Sequence, residues 1–138
     1  MENLHKLEQK IGIKFKNKEL LSRSLIHKSH NNDKNNEKLE FLGDRVLGLV
    51  LAKNLLKIYP NDKEGIIDKK FANLVNKKAC LHIARNLELK KFITTGGSYK
   101  GLNRSDDKII SDGLEALLGA IFLDQGMYTV EKFILNIW

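Results

Sequence analysis

Residues 36–47 read Asn36-Glu37-Lys38-Leu39-Glu40-Phe41-Leu42-Gly43-Asp44-Arg45-Val46-Leu47. Apolar residues recur here at helical spacing, and the pattern continues to Leu55. We predict one long helix from about Glu37 to Tyr59, because the residue before Pro60 is disfavoured in helical backbone. Three acids of this helix, Glu37, Glu40 and Asp44, are spaced i, i+3, i+7 and therefore share one stripe.

A second acidic pair lies in the most apolar part of the chain, where we predict a helix from about Lys108 to Asp124. Asp112 and Glu115 are spaced i, i+3 within a segment that is otherwise mostly Ile, Leu, Ala and Phe. Like charges at this spacing repel, and partial burial raises the cost unless a cation is present. Packing the two apolar faces together would bring four carboxylates towards one point: Glu40, Asp44, Asp112 and Glu115.

Four carboxylates at one point suit a hard cation such as Mg²⁺ or Mn²⁺. The simpler interpretation is two solvated acidic faces whose charge is offset by neighbouring lysines, and for Glu37 alone we favour it. A di-iron centre would need Glu-x-x-His pairs, and no histidine lies three residues after any of these acids.

Helical periodicity elsewhere predicts an all-α fold in a single domain, residues 1–138, with Asn17 capping the second helix. The other predicted helices include Leu4–Ile11, a segment after Asn61 and Asp62 as N-caps, Ala79–Leu87, and Tyr128 towards Trp138. We predict loops over 30–36 and 94–107.

Composition indicates a globular protein with a polyanionic partner. The 138 residues include 24 Lys and Arg against 17 Asp and Glu, a net charge of +7. Basic side chains gain affinity for nucleic acid by releasing counterions from phosphates. No apolar run approaches the roughly 20 residues that span a bilayer. The lone Cys80 excludes an intrachain disulfide and is expected to be buried, so we expect a cytoplasmic protein with no membrane association.

Two other ligand-binding interpretations are not favoured. The glycine-rich segment 96–101 is not followed by the Lys-Ser/Thr of a phosphate-binding loop, so we expect no nucleotide cofactor. That segment is better interpreted as a basic loop, with Lys100, Arg104 and Lys108 as candidate RNA phosphate contacts, although a merely solvated loop is nearly as plausible. His27 and His30 lack further ligands for a zinc site.

Two segments together closely resemble motifs of the ribonuclease III family. The first is residues 36–47, and the second reads Asp112-Gly113-Leu114-Glu115-Ala116-Leu117-Leu118-Gly119-Ala120-Ile121-Phe122-Leu123-Asp124. His27-Lys28-Ser29, Tyr59-Pro60 and Glu64-Gly65 also resemble that family in type and order. The resemblance extends over nearly the whole chain.

The resemblance implies a homodimeric endoribonuclease domain that cleaves double-stranded RNA with Mg²⁺ (Mn²⁺ being an alternative) and leaves 5′-phosphate and 3′-hydroxyl ends. By position, Glu40, Asp44, Asp112 and Glu115 would bind the metal, with Asp44 and Glu115 the least dispensable for hydrolysis. Glu37 and Glu64 would be supporting acids of the cleft. Phe41 would be the aromatic that inserts into the partner subunit.

The sequence departs from the family pattern at several positions. Arg45 stands where a small residue is usual, Gly113 replaces an alanine, and His30 replaces an aromatic residue. No double-stranded-RNA-binding domain follows in this sequence, which predicts weaker, more salt-sensitive RNA binding. We expect a role in ribosomal or messenger RNA processing. The alternative is a catalytically silent, dimerising RNA-binding or scaffold module with the same fold.

Overall fold

The fold is helical throughout the part of the chain that the structure, a computed structural model, describes: residues 2–97 and 106–138. Its elements are α1 (Glu2–Ile11), α2 (Lys18–Ser24), α3 (Glu37–Ile58), α4 (Glu64–Val75), α5 (Lys77–Asn86), a short 3-10 helix (Leu89–Phe92), α6 (Asp107–Gln125) and α7 (Met127–Ile137). The prediction of an all-α fold is confirmed.

Helix α6 forms the centre of the domain. Ten of the residues between Ile110 and Ile121 of α6 are buried. It packs most extensively against α3, which buries Leu39, Val46, Leu47, Val50, Leu51 and Leu55 towards it and its neighbours. Helices α2, α5 and α7 also contact α6, so the acids on it are fixed by the core.

The crossing of α3 and α6 is unusually close, because a glycine lies on each helix where they meet. A Cβ at Gly43 would lie 1.6 Å from the carbonyl oxygen of Glu115, and one at Gly119 would lie 2.2 Å from that of Leu39. No larger side chain fits at either position without separating the helices. The close approach brings the acidic stripe of α3 beside that of α6.

The start of α3 is tied to the end of α2. The buried Asn36 donates its backbone N–H to Ile26 (2.9 Å) and its side-chain amide to the Ser24 carbonyl (3.1 Å). Arg23 donates to the carbonyl of Asn35 at 2.9 Å. An isolated parallel bridge between Ile26 and Thr94 joins this region to the segment after the 3-10 helix.

Several boundaries differ from the predictions. Helix α4 begins at Glu64 after an extended Lys63, so Asn61 and Asp62 are not its N-caps; Asp62 instead pairs with Lys70 at 2.5 Å. Helix α5 begins at Lys77, because Asn76 accepts a hydrogen bond from the backbone N–H of Ala79.

The structure also tests the smaller features predicted from the sequence, namely the short helices, the helix ends and the burial of Cys80. The 3-10 helix was not predicted, whereas the cap at Asn17 agrees with the sequence; α6 ends at Gly126. Cys80 is buried, as expected. Within residues 2–97 and 106–138, no helix is both long and apolar enough to cross a bilayer.

Candidate metal centre

Carboxylates from α3 and α6 meet at the glycine crossing. Glu40, Asp112 and Glu115 each offer an oxygen, and these three oxygens lie within 4.8 Å of one another. The Asp44 carboxyl is hydrogen-bonded to that of Glu115. The structure therefore brings Glu40, Asp112 and Glu115 together and places Asp44 beside Glu115.

These acids differ in how far they are buried. The side chain of Asp44 is 56% exposed and that of Asp112 is 29% exposed. Burial, the Asp44 hydrogen bond and the charges of the other acids raise the pKa of Glu115 to about 9. Burial and the charge of Asp112 also raise the pKa of Glu40. Burial and mutual repulsion thus disfavour ionisation of these acids, and a bound cation would favour their charged form.

The donor set fits a small divalent cation. Ligand oxygens lie about 2.1 Å from Mg²⁺, so two oxygens on opposite sides of the ion are roughly 4.2 Å apart. The oxygens of Glu40, Asp112 and Glu115 lie within 4.8 Å of one another, so small movements of the side chains would let them share one ion. Oxygen donors with no sulfur or imidazole suit Mg²⁺ or Mn²⁺ better than zinc or copper.

A groove of about 340 Å³ opens beside the acids. Its walls include acids of α3 and α6 and several basic or polar side chains: His27, Lys28, Asn36, Glu37, Glu40, Asp106, Lys108, Ile109 and Asp112. Burial and the charge of Lys28 lower the pKa of His27. The groove thus contains both acidic and basic side chains. Such a groove suits a phosphate-bearing ligand whose phosphate contacts a metal ion held by the acids.

The supporting acids are placed differently from each other. Glu37 is exposed and lines the groove, whereas Glu64 begins α4, is exposed, and is not among the acids that converge. The structure thus brings Glu37 to the site and leaves Glu64 outside the group of converging carboxylates.

Two basic side chains, Lys108 and Arg45, contact the acids. The Lys108 ammonium lies 2.5 Å from an oxygen of Asp112. Arg45 Nη1 lies 3.5 Å from an Asp44 oxygen and donates to the carbonyl of Phe41 at 3.2 Å. Lys108 and Asp112 are spaced i, i+4, whereas Arg45 and Asp44 are adjacent in the sequence. Spacing alone does not say which rotamer a long side chain adopts.

Phe41 is 59% exposed at the surface of α3. The Arg45 guanidinium covers one face of its ring, 3.8 Å from the ring centre. Lys100 and Arg104 lie outside the described residues, so only Lys108 of the three candidate RNA contacts is located.

Cys80 lies behind the acids on α5. Burial and the nearby negative charges raise the pKa of its thiol to about 12. A thiol that resists ionisation is a poor metal ligand, which leaves the oxygen donors as the ligand set.

The fold and the site define a helical domain organised around a cluster of carboxylates that could hold a metal ion. A family model described as ribonuclease-III-like matches residues 17–138. The chain belongs to the ribonuclease III family, as the sequence motifs predicted.

Similar proteins agree with this assignment. The chain is 54% identical over 133 residues to a protein named Ribonuclease 3 from Pelagibacter ubique (strain HTCC1062), with 96% of this chain and 60% of that protein covered. It is 41% identical to Ribonuclease 3 of Campylobacter fetus, over 99% of this chain and 62% of that protein. The chain therefore spans about three fifths of the length of these relatives.

Solved structures share the fold. The crystal structure of the nuclease domain of ribonuclease III from Campylobacter jejuni superposes with a TM-score of 0.91 at 41% identity, covering 99% of this chain and 94% of that one. The structure of Dicer from Pichia stipitis has a TM-score of 0.69 at 22% identity, covering 90% of this chain and 54% of that one. The Dicer likeness is evidence for the fold alone.

Proposed function

We propose that residues 1–138 act as the catalytic domain of a divalent-metal-dependent endoribonuclease that cleaves double-stranded RNA. The observation that carries this proposal is the convergence of Glu40, Asp112 and Glu115 at the α3–α6 crossing, with Asp44 bonded to Glu115. The relatives named Ribonuclease 3 support the reaction class.

In this mechanism Glu40, Asp44, Asp112 and Glu115 hold Mg²⁺, with Mn²⁺ as an alternative. When bound, such an ion would supply the chemistry that activates water and stabilises charge on the scissile phosphate and the leaving oxygen. Attack by water at phosphorus with cleavage of the bond to the 3′ oxygen leaves 5′-phosphate and 3′-hydroxyl ends. Asp44 and Glu115 are the acids whose loss we expect to reduce hydrolysis most.

The remaining side chains of the groove serve to position RNA. Glu37 lines the groove and Glu64 is proposed as a more distant supporting acid. Lys108, with Lys100 and Arg104 of the preceding segment, is proposed to contact phosphates. The net charge of +7 favours approach of the RNA polyanion as a whole.

We further propose that the protein works as a homodimer in the cytoplasm, processing ribosomal or messenger RNA. A study of the Campylobacter jejuni nuclease domain describes structural flexibility in a region involved in dimer formation. In this chain the exposed Phe41, covered on one face by Arg45, is the proposed anchor in the partner subunit. An exposed aromatic side chain is an effective interface anchor because it buries a large area.

The test is cleavage of a long RNA duplex at low salt, with Mg²⁺ and with EDTA. Asp44→Asn and Glu115→Gln should each abolish cleavage, while Glu19→Gln, which changes an exposed acid of α2, should cut normally. The single strands of the same duplex serve as the substrate control, and terminal phosphate analysis reports the product ends.

Cleavage that persists in EDTA or in Asp44→Asn would contradict the assigned roles. Duplex binding and dimerisation without any metal-dependent cleavage would instead support the alternative, a scaffold module with the same fold. Cutting of single strands as fast as duplex would reject the substrate class.

A further inference from the structure

Lys108, in the first turn of α6, contacts one of the proposed metal ligands more closely than any other basic side chain of residues 2–97 and 106–138 for which an ion pair with these acids is seen. Its ammonium lies 2.5 Å from an Asp112 oxygen, while its side chain is 74% exposed. We propose that Lys108 is an internal counter-ion of Asp112 that a divalent cation must displace, so that it sets the metal concentration at which the site fills. This inference rests on the proposed function, since it concerns the same site.

Asp112 takes part in two interactions at the site. Its carboxylate converges with those of Glu40 and Glu115, and it also accepts a charge-assisted hydrogen bond from Lys108. A divalent ion within bonding distance of Asp112 would lie a few ångströms from the ammonium. Two cations at that separation repel strongly in a site that is partly screened from water.

The Lys108 ammonium can also move away from Asp112 more easily than the other nearby cation can. Its recorded partner among the described residues is Asp112, and a flexible four-carbon stem carries its charge. Arg45, the other nearby cation, is held by the Phe41 ring at 3.8 Å and by the Phe41 carbonyl at 3.2 Å. The structure thus distinguishes a fixed cation on α3 from a displaceable one on α6.

The displaced ammonium would stay at the groove. Lys108 lines the groove together with Lys28 and His27, so its charge remains on the wall where the proposed function places RNA phosphates. Rotation of an exposed side chain needs no movement of α6. Binding of the metal ion would therefore break the Lys108–Asp112 ion pair but leave the charge of Lys108 on the groove wall.

The experiment measures Mg²⁺ binding to the metal-free full chain by isothermal titration calorimetry, without RNA. Lys108→Gln should bind Mg²⁺ roughly two- to fivefold more tightly than the unchanged protein, the range expected when one exposed ion pair is removed. Lys108→Arg keeps the charge and should stay within twofold of the unchanged protein. Lys91→Gln is the matched control, because Lys91 forms a similar local pair with Glu88, an acid outside the cluster.

A second titration at about 0.3 M KCl separates direct competition from long-range repulsion. The gain in Lys108→Gln should persist there, because salt screens distant charges more than contacting ones. Equal or weaker Mg²⁺ binding by Lys108→Gln, or an equal gain in Lys91→Gln, would overturn the proposal. Failure of the unchanged protein to bind Mg²⁺ would instead reject the proposed function, and this inference with it.

Discussion

Glu115 is the acid most strongly affected by its surroundings. Its pKa is about 9 in the metal-free protein, against 4.5 for an ordinary glutamate, chiefly because it is buried. The folded protein therefore keeps a proton that the unfolded chain releases above pH 4.5. The metal-free protein should lose stability as pH rises from about 4.5 to about 9, the window between these two pKa values.

Glu115→Gln should remove most of this dependence, because an amide cannot ionise and can still donate a hydrogen bond to Asp44. At about pH 8 in EDTA we expect the Tm of Glu115→Gln to exceed that of the unchanged protein by roughly 3–6 °C. Differential scanning calorimetry across the pH window measures it. The same variant should lose stabilisation by Mg²⁺, so a functional acid costs stability in the absence of its ion.

A Tm of the unchanged metal-free protein that is flat from about pH 5 to about pH 9 would contradict the raised pKa of Glu115. The comparison variant is Glu19→Gln, in which an exposed acid outside the cluster is changed in the same way. Its pH profile should follow that of the unchanged protein.

At the scale of the helices, the close crossing of α3 and α6 is the feature on which the site depends. Gly43→Ala would place a Cβ 1.6 Å from the Glu115 carbonyl oxygen, so the helices must separate. We expect a loss of about 3 kcal/mol or more in the free energy of unfolding. Urea denaturation followed by circular dichroism measures this loss.

Gly48→Ala provides the matched control on the same helix. A Cβ there would lie 3.5 Å from the Phe71 ring, an ordinary contact. The variant should be neutral or gain up to ~1 kcal/mol from helix propensity. Similar behaviour of the two alanine variants would show that the crossing is not as close as described.

The sequence predicted the helices and the convergence of their acids better than it predicted the detail around them. Periodicity locates Glu40, Asp44, Asp112 and Glu115 because a helix face follows directly from spacing. The contacts of Gly43 with Glu115 and of Gly119 with Leu39 across the crossing could not be predicted in the same way, because they depend on which helices pack together. Likewise, the partner of Lys108 depends on a rotamer chosen by its surroundings.

At the scale of the whole molecule, the charges are unevenly distributed. The chain carries a net charge of +7, yet its proposed site contains four carboxylates. These acids would repel an RNA phosphate that approached them alone. A bound divalent ion, together with the basic groove side chains, would offset much of this negative charge and weaken the repulsion of an RNA phosphate.

Dimer formation gives a prediction at this scale. Phe41→Ala should weaken dimerisation by roughly 30-fold or more, as expected for an aromatic anchor worth about 2 kcal/mol. The stability of the isolated subunit should change by less than about 0.5 kcal/mol, since 59% of Phe41 is exposed. Sedimentation equilibrium measures the association.

Leu123→Ala is the comparison for this experiment, because Leu123 is 54% exposed on α6. A loss of association as large as that of Phe41→Ala would indicate that exposed apolar area in general drives dimerisation. Unchanged association of Phe41→Ala would remove Phe41 as the anchor.

The close contact between α3 and α6 at the glycines also has a consequence for folding during synthesis on the ribosome. Because α6 follows α3 by a long stretch of sequence, α3 leaves the ribosome well before its partner exists. Until α6 emerges, the apolar side of α3 has no permanent cover and is a natural ligand for chaperones. Once the two helices meet, core and acid cluster form in the same event. Nascent chains that have not yet closed the core should therefore have no assembled site.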